Sequence, residues 1–100
     1  MLKSKRSKSC DISQKVKKIV WERDYQMCIL CGSKNAAPNA HYIPRSSGGL
    51  GIEQNIVTLC LNCHFRYDQT IERKNLQEKI RNYLARKYPN WNEEDLIFKK

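Results

Sequence analysis

Two Cys-x-x-Cys pairs, Cys28/Cys31 and Cys60/Cys63, constrain the fold of this 100-residue chain more than any other feature. Each pair brings two thiolates to the same side of a tight turn, and two such turns complete a tetrahedral shell for Zn²⁺. The alternatives are a pair of disulfides or unrelated core cysteines. Disulfides are disfavoured, because residues 1–9 are basic and lack the apolar stretch of a secretory signal. We therefore expect a reducing, cytoplasmic compartment and a structural zinc site formed by all four cysteines.

The length and charge of the chain indicate a small domain that binds a polyanion. A chain of 100 residues with 40% apolar residues forms one small domain with a modest core, to which a bound zinc ion adds stability. The formal charge of +9 falls to about +7 when four thiolates hold one Zn²⁺, and the sequence pI is near 9.5. A polyanion is the expected partner, and no segment is suited to span or lie on a membrane. Nucleic acid is therefore favoured.

The chain divides into a basic arm and one folded domain. Residues 1–10 are rich in lysine and serine and are predicted to be disordered. Cys10 lies outside both cysteine pairs and is predicted to be a free thiol. A single domain is expected over residues 11–100, with a helical extension over residues 72–100.

Hydrophobic periodicity predicts two long helices. The first begins at a cap formed by Asp11 or Ser13 and ends near Asp24. Its apolar face consists of Ile12, Val16, Ile19 and Val20. The second covers about residues 72–87 and ends before Pro89. Its apolar face consists of Leu76, Ile80, Tyr83 and Leu84.

A β-hairpin is predicted between the cysteine pairs. Residues 40–45 and 55–59 are short apolar stretches, and the glycine-rich segment 46–51 between them predicts a long flexible loop. Helical periodicity begins again at Leu61. Residues 40–70 thus have the order strand, loop, strand, helix, and the predicted fold class is a small α+β domain.

This central region resembles the HNH nuclease motif in its zinc-containing form, the ββα-metal fold. The resemblance is specific over residues 28–68, which form the core motif, and it extends to small free-standing HNH proteins of phages and bacteria. This resemblance implies that the protein acts in the cytoplasm of a bacterium or of a phage-infected host. The residues that carry it are His41-Tyr42-Ile43-Pro44-Arg45-Ser46, Gly48-Gly49, Asn55-Ile56-Val57-Thr58-Leu59-Cys60, Cys63-His64 and Asp68.

Phosphodiester hydrolysis needs a base that deprotonates water and a divalent cation that stabilises the phosphate and the departing oxygen. His41 is the candidate base, since an imidazole with a pKa of about 6.5 is largely neutral at pH 7. The resemblance implies that Asn55 holds the ring of His41 in the correct tautomer. The residues alone leave two alternatives open: an ordinary satisfied histidine at His41, and a turn-forming asparagine at Asn55.

His64 and Asp68 are the candidate ligands of a catalytic Mg²⁺ or another divalent cation. Four cysteines already fill the zinc shell, and His64 and Asp68 are four residues apart, on one helix face. A simple surface contact between them is the alternative. Ala40 departs from the family pattern, because many members have Asp or His there as a further metal ligand.

Basic residues beside the motif are expected to contact DNA phosphates. The candidates are Arg45, Arg66, Arg73 and Lys74, followed by Lys79, Arg81, Arg86 and Lys87. Because Glu72 and Glu78 interrupt the last helix, an ordinary solvated face is the alternative.

The resemblance implies a metal-dependent DNA endonuclease. A lone active site cuts one strand, so a monomer is expected to nick. Ala40 favours a second interpretation, a catalytically silent zinc-dependent DNA-binding module. A third is an adaptor that binds other DNA-processing proteins, such as phage packaging machinery.

Overall fold

The computed structural model describes residues 5–99, and side chains from residue 7 onward. Six regular elements follow one another along the chain, with short 3₁₀ turns at Arg45–Ser47 and Glu93–Leu96. No helix within the described range is both long and apolar enough to cross a membrane. The elements are α1 (Lys5–Cys10), α2 (Gln14–Arg23), β1 (Ala36–His41), β2 (Ile56–Cys60), α3 (Leu61–Gln69) and α4 (Arg73–Lys87).

Helix α2 begins and ends close to the predicted residues. The side chain of Ser13 accepts a hydrogen bond from the backbone N–H of Val16 at 3.1 Å, so Ser13 is the N-cap. Asp24 follows the last turn as the C-cap. Of the predicted apolar face, Val20 is the residue that is fully buried.

Strands β1 and β2 form an antiparallel hairpin whose first strand differs from the prediction. The expected strand 40–45 lies instead at Ala36–His41, and its register is irregular between Ala37 and Ala40. The chain leaves the sheet after His41 and forms a loop over residues 42–55. Pro44 has no N–H to give to a ladder, which makes a continuous strand through residue 45 unfavourable.

The core lies between the hairpin and the helices. Every residue of β2 is buried, whereas β1 buries Ala40. Helices α2 and α3 both contact the hairpin, and α4 packs on α3. As predicted, α4 contributes one apolar face, with Leu76, Ile80 and Leu84 buried and Tyr83 half-buried. The predicted fold class, a small α+β domain with a four-cysteine cluster, is confirmed.

The N-terminal segment is ordered where the structure describes it, which corrects the prediction of a disordered arm over residues 1–10. Residues 5–10 form α1, and residues 1–4 lie outside the described range. Cys10 is 2% exposed, and the backbone oxygen of Ser9 accepts a hydrogen bond from the N–H of Gly51 at 2.9 Å. Burial of one apolar side chain and pairing with a distant loop thus hold a segment whose own composition favours disorder.

A buried ion pair fastens the end of α2 to β2. Asp24 accepts hydrogen bonds from the Arg23 guanidinium at 2.7 and 3.0 Å, from the N–H of Thr58 at 2.8 Å and from the hydroxyl of Tyr83 at 2.6 Å. Arg23 also donates to the backbone oxygen of Ile56 at 2.7 Å. Burial lowers the pKa of Arg23, but its bonds to Asp24 outweigh burial and keep the pKa above its usual value.

Replacing Asp24 with alanine should lower the free energy of unfolding by about 3–5 kcal/mol, because the Arg23 charge and the Thr58 N–H would lose their buried partner. Urea denaturation of the metal-loaded protein measures the change. Glu78→Ala, on the exposed face of α4, is the control and should leave the midpoint unchanged. A loss below about 1 kcal/mol for Asp24→Ala would show that this cluster contributes little to stability.

Candidate metal centre and active site

The four predicted cysteine ligands converge. Their Sγ atoms all lie within 4.8 Å of one another, a separation at which they could hold a metal ion such as zinc. Cys31 and Cys60 have Sγ atoms 3.6 Å apart, well beyond the length of a disulfide, and all the cysteines are free thiols. The fifth, Cys10, is outside the cluster, as predicted.

Local backbone structure builds this centre. After Cys28 the chain turns through Gly32, whose φ of +79° favours glycine and whose N–H donates to the oxygen of Cys28 at 2.9 Å. The N–H of Ile29 donates to the oxygen of Thr58 at 3.0 Å, which docks the first cysteine pair against β2. The second pair lies where β2 meets α3, and Cys60 is the N-cap of that helix.

The electrostatics of the cluster fit a bound cation. Burial raises the pKa of the Cys63 thiol, and its sulfur neighbours Cys60 and Cys28 raise it further. Burial also opposes ionisation of Cys28, but backbone hydrogen bonds from Cys60, Cys31 and Leu30 lower its pKa to about 7. One thiolate is therefore stabilised by backbone N–H groups, whereas four thiolates need a positive ion among them.

A cavity of about 1090 Å³ lies beside this centre and contains most of the other predicted site residues. His41, at the end of β1, His64 and Asp68, on one face of α3, and Arg45 and Arg73 all line it. The structure thus brings together the candidate base, the candidate cation ligands and two candidate phosphate contacts. Arg66 and Lys74 are not among its lining residues.

His64 and Asp68 of α3 lie side by side, as their spacing of four residues predicts. Nε2 of His64 lies 3.0 Å from Oδ2 of Asp68. Arg73 lies with Nη1 3.8 Å from Oδ1 of Asp68, donates to the backbone oxygen of Tyr67 at 3.1 Å and stacks on the Tyr67 ring at 4.3 Å. One imidazole and one carboxylate, held on a single helix turn, form a donor set suited to a divalent cation.

The surroundings of His41 lower the pKa of its imidazole. Nε2 lies 2.9 Å from the backbone oxygen of Cys10. Burial lowers the pKa of His41, and the Arg45 charge lowers it further, whereas the Cys10 oxygen partly opposes both. Burial and the Arg45 charge therefore favour the neutral imidazole, which has one nitrogen able to accept a proton.

Asn55 is buried but does not donate to His41. Its Nδ2 donates to the backbone oxygens of Ile43 at 3.2 Å and Leu50 at 2.8 Å, and its Oδ1 accepts from the N–H of Ile43 at 2.8 Å. Both amide hydrogens are thus used within the loop 42–55. These bonds match the alternative interpretation, a turn-forming asparagine, and correct the expectation that Asn55 directly holds the ring of His41.

The candidate phosphate contacts each have a carboxylate neighbour or lie outside the cavity. Arg45 pairs with Asp11 at 2.8 Å, and Arg66 pairs with Glu72. Lys74 is exposed near the start of α4.

Sequence reasoning missed part of the cavity lining. Ala40 is fully buried in the core, so this position packs and offers no ligand. Its neighbours in the strand, Asn39 and His41, both line the cavity, as the alternation of side chains along a strand would have suggested. Gln69, Gln77 and Glu93 also line it, and their separation in sequence gave no comparable signal.

Loss of one buried sulfur should release the metal. Cys63→Ser should abolish stoichiometric metal binding and cooperative unfolding, because the remaining thiols cannot complete the tetrahedral shell. Elemental analysis, a visible spectrum and thermal unfolding test this, and the spectrum separates zinc from iron, which the same thiolate set accepts. Cys10→Ala is the control and should keep one metal ion. Retention of metal by Cys63→Ser would remove Cys63 from the ligand set.

Asn55→Ala should lower the free energy of unfolding by about 1–3 kcal/mol for each buried backbone group that it leaves unpaired. The groups at risk belong to Ile43 and Leu50. Urea denaturation measures the loss, and hydrogen exchange should show faster exchange at the N–H of Ile43. Asn82→Ala, exposed on α4, is the matched control. An unchanged exchange rate at the Ile43 N–H would show that the Asn55 side chain does not stabilise the loop 42–55.

The central part of the chain is similar in sequence to known proteins. The sequence model of the HNH endonuclease family matches residues 28–80, from the first cysteine pair into α4. A protein of Nostoc sp. named Anaredoxin is 38% identical over 55 residues, covering 54% of this chain and 72% of that protein. The residues that match the family model contain the cysteine cluster, the hairpin and α3. The chain belongs to the HNH endonuclease family.

Proposed function

We propose that the protein is a metal-dependent DNA endonuclease that hydrolyses one phosphodiester bond at a time. The single observation that carries the proposal is the shared cavity, which is lined by a histidine whose pKa is lowered by burial, a histidine–carboxylate pair and two arginines. Membership of the HNH family supports a nuclease-type function. The net charge of +9 supports a nucleic-acid substrate.

Each side chain has a role that its surroundings favour. His41 is the general base that takes a proton from the attacking water, since burial keeps its imidazole neutral. His64 and Asp68 would hold the divalent cation, Mg²⁺ or a similar ion. When bound, such a cation stabilises the charge that develops on the phosphate and the departing oxygen. Asn55 acts indirectly, by bracing the loop that follows His41.

DNA is expected to lie across the cavity and along α4. Arg45 and Arg73 line the cavity and would bind the phosphates that flank the cleaved bond. Arg66 and Lys74 would extend the contact beyond it. Because the described residues contain one such constellation, a monomer would cut one strand and leave a nick.

Purified zinc-loaded protein should convert supercoiled plasmid to open circles with Mg²⁺, Mn²⁺ or Ni²⁺ present. His41→Ala should lower the nicking rate by about 10²- to 10⁴-fold, the usual contribution of a general base. His64→Ala should raise the cation concentration needed for half-maximal nicking, because one of the two proposed ligands is removed. Gel electrophoresis measures both effects.

Lys34→Ala, on the exposed turn of the first cysteine pair, is the control and should nick at the wild-type rate. All variants should keep the wild-type zinc content and unfolding midpoint, which separates lost chemistry from lost folding. Equal, cation-independent nicking by wild type and His41→Ala would overturn the endonuclease proposal.

A catalytically silent DNA-binding module is the second candidate, and buried Ala40 favours it because this position offers the cation no ligand. In that case the wild type would shift DNA in a gel at low salt but leave the plasmid supercoiled under every cation. Absence of both cleavage and a shift would point to an adaptor that binds other DNA-processing proteins.

A further inference from the structure

The N-terminal segment reaches the candidate base from outside the residues that match the HNH family. Nε2 of His41 lies 2.9 Å from the backbone oxygen of Cys10, whereas the family match begins at Cys28. A carbonyl oxygen only accepts hydrogen bonds, so Nε2 must carry the proton in this contact. In a neutral imidazole the other nitrogen, Nδ1, then holds the lone pair.

Contacts on both sides of Cys10 fix the position of this oxygen. The N–H of Gly51 donates to the oxygen of Ser9 at 2.9 Å. Asp11 pairs with Arg45 at 2.8 Å, and the Cys10 side chain is buried. The segment is therefore attached at successive residues to the loop that follows the base.

Gly51 makes this close approach possible. A Cβ atom at residue 51 would lie 2.0 Å from the backbone oxygen of Asp11 and 3.0 Å from that of Cys10. The first distance is a severe clash with backbone, which cannot rotate away as a side chain can. Any side chain at residue 51 would displace the oxygen that faces His41.

We propose that Ser9–Asp11 is the positioning segment of the active site: the Cys10 carbonyl oxygen fixes His41 as the Nε2–H tautomer and leaves Nδ1 as the basic nitrogen. This inference rests on the proposed endonuclease function. Nδ1 takes a proton from water as the water oxygen bonds to phosphorus. The P–O bond to the departing oxygen breaks, and that oxygen takes a proton from solvent, so the hydrolysis balances.

A carbonyl suits this task better than the amide expected from the sequence. The side chain of Asn55 has both a donor and an acceptor, and it could stabilise either tautomer of a neighbouring imidazole. The Cys10 oxygen can stabilise one tautomer alone. The same oxygen also opposes the lowering of the His41 pKa by burial, which keeps the ring a competent base.

Nitrogen-15 NMR of the zinc-loaded wild type tests the tautomer without any need for cleavage. We expect His41 to show a protonated Nε2 and an unprotonated Nδ1, with the signals assigned through loss of the His41 resonances in His41→Gln. An Nδ1–H tautomer, or a mixture of both, in the wild type would overturn the inference. Because no DNA is present, failure here is distinct from failure to nick plasmid.

Two variants test the cause. Gly51→Ala should convert the single tautomer to a mixture and lower kcat at least tenfold, with KM and zinc content within twofold of wild type. Cys10→Ser keeps the carbonyl and nearly the size of the buried side chain, and it should retain the Nε2–H tautomer. Loss of that tautomer in Cys10→Ser, or a wild-type tautomer and kcat in Gly51→Ala, would contradict the role of the carbonyl. If Gly51→Ala does not fold, the wild-type tautomer and Cys10→Ser still decide the question.

Discussion

Repulsion among four clustered thiolates, three of them on buried cysteines, is the constraint on which the rest of the domain depends. Sγ atoms within 4.8 Å of one another resist joint ionisation. Burial raises the pKa of Cys63, and the sulfurs of Cys60 and Cys28 raise it further. A bound dication would remove the repulsion and would link the turn after α2 to the junction between β2 and α3. His64 follows Cys63 directly and His41 pairs with Ile56 of β2, so a metal ion in the cluster would also fix the distance between these two histidines.

The loop over residues 42–55 needs partners from elsewhere in the chain, because a loop of fourteen residues between two short strands is too long to be fixed by its own contacts. Segments near both ends of the described chain provide these partners. The N–H of Gly51 bonds to Ser9, and on the other side the N–H of Leu50 bonds to Leu96 and that of Phe98 bonds to Gly48. Segments outside the family match thus supply backbone partners that the loop lacks. A minimal core without them would leave the candidate base beside a mobile loop.

Features that depend on residues near in sequence were predictable. The α2 and α4 faces follow from the 3.6-residue period, the cysteine cluster from its two pairs, and the contact between His64 and Asp68 from their spacing. Features that depend on bonds between distant residues were not. The side-chain amide of Asn55 forms hydrogen bonds with backbone groups of Ile43 and Leu50, and no periodic pattern in the sequence indicates these bonds.

The same limit explains the errors at β1 and α1. Apolar content alone suggested a strand over residues 40–45, but Ile43 finds its partner in the Asn55 side chain and not in a ladder. Composition suggested a disordered arm, but Ser9 bonds to Gly51, 42 residues further along the chain, and Asp11 pairs with Arg45, 34 residues further along. Long-range pairing overrides local preference in both cases.

In the proposed nuclease, the charges that line the cavity would serve both phosphate binding and a neutral base. Arg45 lowers the pKa of His41, so the charge that would attract DNA would also protect the proposed base from protonation. Asp11 pairs with Arg45, and Asp68 lies near Arg73, which moderates the positive field where the cation must also bind. Affinity for DNA should therefore come mainly from the surrounding lysines, and the cavity arginines should mainly set the position of the cleaved bond.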